Sequence, residues 1–219
     1  MVGKLSNNQI ILDKEKHLKS KLQNHFSGQI AKKIIKHKIG VEAIEVHGFM
    51  LRLEFEFIEQ PVDLKIYHTL KSDIQEVVKK NSGFFIGLEV ANIADSFFSQ
   101  ELFCDDSHIS ALKSAIEIDR KILFTFQKGI AYKIGIAYGK IVVGNLQKFD
   151  DNVFVAGGAR TKAGYIVSQF LQSDSANILV DLNTRDELIN LHNIAFEEAG
   201  KIKLPGSVDI SVFGLRMLG

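Results

Sequence analysis

Residues 132–147, YKIGIAYGKIVVGNLQ, hold two apolar, β-branched runs divided by Ala137, Tyr138 and Gly139 and closed by Gly144 and Asn145. Ile134, Ile136 and Tyr138 alternate with small or polar residues. Ile141, Val142 and Val143 form the short continuous run of a strand buried on both faces. The pattern predicts a β-hairpin at the centre of a sheet.

The rest of the chain supplies partners for such a sheet. Residues 49–58, FMLRLEFEFI, alternate strictly, with Phe49, Leu51, Leu53, Phe55 and Phe57 on one face and Arg52, Glu54 and Glu56 on the other. Helical spacing over 64–81 and 109–126 predicts two amphipathic helices. Residues 84–98 read as two short strands around Ala91 and Asn92. An apolar run at 153–156 leads through Gly157 and Gly158 into a helix reaching 171. A strand at 178–180, a helix at 184–191 begun by Asn183 or Thr184, and an antiparallel pair over 196–215 turned at Pro205 and Gly206 complete the order. Ahead of these, 14–25 and 29–36 read as helices, with Ser27 capping the second. The organisation is a helical leader, 1–45, and one domain, 46–219. The fold class is α+β, a ferredoxin-like βαββαβ core with additional C-terminal β/α elements and helices on one main face of the sheet.

Charge and cysteine content narrow the function. With 27 basic and 26 acidic residues the formal charge is +1, so the totals recruit neither nucleic acid nor an anionic membrane. The lysines at 32, 33, 36 and 38 read as a solvated helix face, and His17, His25 and His37 as surface residues without metal-ligand spacing. No stretch approaches the ~18 apolar residues of a membrane span. The single cysteine, Cys104, excludes an internal disulfide and fits a reducing, cytoplasmic compartment. Its neighbours Asp105 and Asp106 would raise its thiol pKa, which argues against a nucleophile paired with His108.

Several stretches together resemble the catalytic domain of class III nucleotidyl cyclases, the adenylate and guanylate cyclase family. KIGIAYGKIVVGNLQ is similar to that family's R-x-G-I-x-x-G-x-V-x-x-G-N-x-G segment. ALKSAIEI is similar to the helix before it, and FEEAGKIKLPGSVDISVFGL to the family's ending. HFSGQIAKKII resembles the F-S-P-x-x-A-x-x-I segment that precedes bacterial cyclase domains. The resemblance spans about residues 22–218.

The resemblance implies a head-to-tail dimer whose active sites use two aspartates, two magnesium or manganese ions and a nucleoside triphosphate. Each family position can be located here, and each departs from the family. Glu54 or Glu56 falls near the first aspartate, without the glycine-rich phosphate turn that should follow. Ala91 falls on the second aspartate, with Glu89 or Asp95 available only if the register slips, and both read better as solvated strand-edge acids. Gly87 and Phe154 occupy the base-reading positions and Ser207 that of the final phosphate lysine. Thr161 stands for the ribose-orienting asparagine and Tyr165 for the arginine that stabilises the transition state. Arg160 and Lys162 adjoin these positions but point elsewhere on a helix.

The expectation is therefore a catalytically degenerate cyclase-like domain. It would serve as a dimerising regulatory or binding module in cyclic-nucleotide signalling, as a homodimer or a heterodimer with another cyclase-type domain. The alternatives are a divergent active cyclase converting ATP or GTP to the 3′,5′-cyclic nucleotide with two metal ions, and a small-ligand sensor in the old cleft. Phe84, Phe85, Phe97 and Phe98 suit either an interface or an ordinary core.

Overall fold

The computed structural model describes residues 16, 43–58, 64–89, 92–102, 104–126, 129–144, 154–191, 193–206 and 209–218. The expected leader helices, Ala91, Ser207 and the cationic run at 32–38 lie outside them. The described residues form, in chain order, β1 (Ile44–Phe57), α1 (Leu64–Lys80), β2 (Phe84–Glu89), β3 (Ile93–Phe98), α2 (Ser107–Phe126), β4 (Ile130–Gly144), β5 (Phe154–Ala156), α3 (Gly158–Phe170), β6 (Ile178–Asp181), α4 (Leu182–Leu188), β7 (Ile194–Lys203) and β8 (Asp209–Met217). They build one sheet in the order β2-β3-β1-β4-β6-β8-β7, with β5 paired to β4. The first four strands with α1 and α2 are the expected ferredoxin-like unit, and β6 extends it by pairing parallel to β4. Among the described residues no helix is long and apolar enough to cross a membrane.

The hairpin expected at 132–147 is instead one strand. β4 runs straight through Tyr138 and Gly139 and pairs antiparallel with β1 along its length, from Ile130 opposite Phe57 to Val143 opposite Ile44. Ala137, Tyr138 and Gly139 lack the Asn-Gly or Asp-Gly chemistry that reverses a chain in two residues. Gly139 takes φ +153°, a conformation open to glycine, and the strand continues past it.

What changes at Gly139 is the partner on the far side. Up to Ile136, β4 pairs with β6; beyond, from Val142, it pairs with β5. Between them the Tyr138 N–H donates to Thr184 Oγ1 at 2.6 Å. Thr184 Oγ1 in turn donates to Asp181, whose carboxylate also accepts from Lys162. Lys162 donates a second bond to the Tyr138 carbonyl at 2.8 Å. A side-chain network thus fills the gap in the ladder, as buried backbone groups require. Asp181 also caps α4, accepting the Thr184 N–H at 3.1 Å, so the helix starts before the expected Asn183 or Thr184.

Both faces of the sheet are covered, which corrects the expectation of one main helical face. Phe49, Leu51, Leu53 and Phe55 of β1 meet Leu70, Ile74 and Val77 of α1 and Ala115, Ile118 and Ile122 of α2. On the opposite face Val46 and Met50 meet Ala159, Ala163, Ile166 and Phe170 of α3. The short apolar run in β4 demanded this second layer, since Ile141 and Val143 are wholly buried within it. Phe84, Phe85, Phe97 and Phe98 are all buried, so they are core. Tyr132 ties α2 to the sheet, its hydroxyl donating to Asp119 at 2.7 Å while Asn177 Nδ2 donates to the same carboxylate at 3.0 Å. Burial, reinforced by Asp119, pushes the Tyr132 phenol far above its usual range.

Candidate functional site

α3 covers only part of its face of the sheet. Toward the end of β1 a cavity of about 470 Å³ opens between helix and strands. The strand wall is Arg52 and Glu54 of β1 with Ile93 of β3. The helix wall is Arg160, Thr161, Gly164, Tyr165 and Ser168. Helical geometry explains this wall: Thr161, Tyr165 and Ser168 stand at i, i+4 and i+7 and share one face. Alternation explains the other, because Arg52 and Glu54 are successive residues on the α3 side of β1.

Asp95 organises the cavity from behind. It pairs with Arg52 across the β1–β3 ladder and with Gly87 across the β2–β3 ladder. The carboxylate is 1% exposed, which corrects its reading as a solvated strand-edge acid. Arg52 donates to it bidentately, Nε to Oδ1 at 2.6 Å and Nη2 to Oδ2 at 2.5 Å. Arg160 adds Nε to Oδ2 at 2.9 Å and fastens its own Nη1 to the Val155 carbonyl at 2.8 Å. Two guanidiniums therefore share one buried carboxylate, Arg52 through a bidentate pair and Arg160 through Oδ2 alone. Gly164 makes room for it, since a Cβ there would lie 2.8 Å from Arg52 Nη1.

The nominated residues divide accordingly. Glu54, Thr161 and Tyr165 converge on the one cavity. Glu54 is half-buried, and desolvation raises its carboxyl pKa against a smaller opposing pull from Arg52. Glu56 lies outside the cavity, accepting from Gln172 Nε2 at 2.7 Å on the surface. Gly87 sits beside Asp95 at a bulge in the edge strand and offers no side chain. Phe154 opens β5 opposite Gly144, and Glu89 closes β2 opposite Ile93; both are described by backbone alone. Lys162 is turned to Asp181, whereas Arg160 lines the cavity with Thr161 and Tyr165 and holds Asp95, which corrects the expectation that it points elsewhere. The Gly157–Gly158 junction is a packing device, because a Cβ on Gly157 would come within 2.5 Å of the Lys140 carbonyl oxygen. Cys104 is buried, and its thiol is pushed up to about 11 by desolvation first and by Asp105 and Asp106 only weakly.

Sequence reasoning missed the two arginines as a pair. The clue for Arg52 was present, a cation on the otherwise acidic face of β1, but Asp95 is 43 residues away and Arg160 a further 65. Among the described residues the donor set does not suit a two-metal centre. Both Asp95 oxygens are engaged by cations, and the described residues contain no cluster of three or more histidine, cysteine or acidic groups able to hold a metal.

The sequence matches no protein-family model and no curated protein. Structural comparison does find chains of similar fold. The adenylyl cyclase CyaB from P. aeruginosa superposes with a TM-score of 0.64 at 15% identity, covering 80% of this chain and 96% of that one. The guanylate cyclase domain of RhGC from Catenaria anguillulae, solved in complex with GTP, gives 0.63 at 13% identity over 80% of this chain and 100% of that one. The non-canonical dimeric guanylyl cyclase domain of RhoGC from Blastocladiella emersonii gives 0.58 at 13% identity, covering 81% and 99% respectively. The chain thus has the fold of the class III adenylyl and guanylyl cyclase catalytic domains.

Proposed function

We propose that this chain is a cyclase-homology domain that has lost cyclase chemistry and acts in the cytoplasm as a dimerising regulatory or binding module in cyclic-nucleotide signalling. The observation that carries the reading is the Arg52–Asp95–Arg160 triad. It engages both oxygens of Asp95, one of the acids offered to a metal, with two fixed cations, where the phosphoryl-transfer chemistry needs carboxylates open to divalent ions. Tyr165, at the position matched to the transition-state arginine, brings a neutral ring to the cavity wall. Losing one such charge-stabilising group costs about 10²–10³ in rate, and the losses here are several.

The dimeric state of the Blastocladiella domain supports pairing, as a homodimer or with an active cyclase-type domain. A second reading, a divergent two-metal cyclase, draws on the convergence of Glu54, Thr161 and Tyr165 in one cavity. One assay separates the two. Purified protein is incubated with ATP or GTP and manganese, and cyclic product and nucleotide binding are measured together. The proposal expects no product above the protein-free control; sustained turnover overturns it.

A further inference from the structure

An open sheet ends in two edge strands, and each presents a row of backbone N–H and C=O groups on its outer side. Among the described residues β7 is one of these edges, 10 residues long and paired with β8 on one side only. Its sequence, IAFEEAGKIK, carries acids in the first half and lysines in the second. Proteins guard such an edge with like charges, which repel a second copy, and with bulges. β7 has a bulge at the register shift between Glu198 and Gly200, where Gly200 takes φ +145°. Its charges change sign across that bulge, so repulsion between two copies becomes attraction in one register.

The bulge also decides which side chains share a face. Ile194 and Phe196 pack with the α1 and α2 layer, and Ile202 packs with Phe170 in the α3 layer. Alternation puts Glu198 beside Phe196 and puts Lys201 and Lys203, which flank Ile202, on that same side. All three charged residues are exposed. Glu197 lies on the other face and is engaged by Arg216 at 3.0 Å, so it is left out of the pairing. Opposite residues of an antiparallel pair share a face. Two copies of β7 related by a two-fold axis at the bulge meet that condition: Glu198 of each copy faces Lys201 of the other, and Phe196 faces Lys203. An axis at Glu197 or Glu198 sets acid against acid, and one at Ile202 sets Lys201 against Lys203, which like charges disfavour.

We propose that β7 is the edge through which two copies of this chain pair antiparallel into one continuous sheet, with Glu198 and Lys201 fixing the register. The inference rests on the homodimer half of the proposed function and names its surface, which shares no residue with the cavity wall. Cross-strand charge pairs are individually weak, so the dimer should be reversible and dependent on concentration.

Sedimentation equilibrium of the full chain from micromolar to millimolar concentration at low salt tests it, with wild type, Glu198→Lys, Lys201→Glu and an equimolar mixture of the two variants. Wild type should dimerise. Each reversal alone sets like charges opposite one another at both symmetric positions and should weaken dimerisation about tenfold or more. In the mixture the lysines of one variant meet the glutamates of the other, and dimerisation should return to wild-type strength. Both substitutions are at exposed positions, and matching circular dichroism melts verify the fold. A wild-type dimer that survives both reversals overturns this surface and leaves the homodimer reading standing. A mixture no tighter than either variant alone overturns the register. Wild type that stays monomeric throughout the range overturns the surface and the homodimer reading together.

Discussion

Arg160 Nε meets Asp95 Oδ2 at 2.9 Å, joining a helix to a strand 65 residues earlier in the chain through a carboxylate that Arg52 already holds. Removing the shared acid takes a common buried partner from two neighbouring guanidiniums. Breaking a buried ionic cluster from one side costs about 3–5 kcal/mol. Asp95→Ala should lose about that much in urea unfolding, while Asp95→Asn, which keeps an acceptor oxygen, should lose less. If the two variants match wild type within 0.5 kcal/mol, roughly the scatter of a surface substitution, the triad is not what holds α3 over the cavity.

Glycines around α3 give a graded series. At Gly135 a Cβ would stand 2.8 Å from the Ala163 carbonyl oxygen and 2.9 Å from Val167 Cγ1, so Gly135→Ala must push helix from sheet. Overpacking of this kind costs about 1–3 kcal/mol. Gly164→Ala meets only the far end of Arg52, at 2.8 Å, and that side chain can yield; the loss should be about 1 kcal/mol or less and fall on the ion triad. Gly158 has open space, so Gly158→Ala should be neutral to stabilising. Thermal unfolding should rank them Gly135, Gly164, Gly158 from most to least damaging, and a reversed order would contradict the packing described.

Thr184 tests how the sheet tolerates a change of partner in mid-strand. Its hydroxyl accepts the Tyr138 N–H at 2.6 Å and donates to Asp181. Thr184→Val keeps the shape and deletes both bonds. A buried N–H left unmade costs about 1–3 kcal/mol. Thr184→Ser should recover most of the loss, and Tyr138 should show the largest rise in amide exchange in the valine variant. Equal stability of the valine and serine variants would show that the hydroxyl does not serve the ladder.

The elements that sequence made legible are those whose pattern is local. β1 could be read because one buried face imposes a period of two, and α1 and α2 because one buried stripe imposes 3.6. β4 was misread because Ala137, Tyr138 and Gly139 interrupt its β-branched runs, whereas the strand's continuity is set by β1 lying alongside from Ile130 to Val143. Asp181 left a local signal, an acid three residues before Thr184, and it was overlooked because the residue also ends a strand. Asp95 left none. Its burial depends on cross-strand register with Arg52 and on the placement of α3, both products of tertiary packing. In the cavity, residue identities at Glu54, Thr161 and Tyr165 could be nominated by likeness to a family, whereas Arg160 was set aside as pointing elsewhere and Arg52 carried no signal of its partner Asp95.

Glu54 supplies a prediction whose sign can be worked through. Its folded pKa is raised, chiefly by desolvation and against the pull of Arg52; Arg160, Asp95 and Tyr165 are the other titratable groups grouped at the cavity. A raised carboxyl pKa means the folded chain holds a proton that the unfolded chain releases, so stability falls as pH rises through the interval between the two pKa values. Above both, the ionised carboxylate carries its full burial penalty; below the unfolded value, about 4.3, the penalty vanishes. Glu54→Gln has the neutral shape at every pH. The variant should therefore melt above wild type at pH 7, and the gap should close as pH is lowered toward 4. Thermal unfolding at half-unit steps from pH 3.5 to 7.5 measures it. A gap that is constant with pH, or a wild type more stable than the variant at neutral pH, would mean that Glu54 is held by a favourable charge partner.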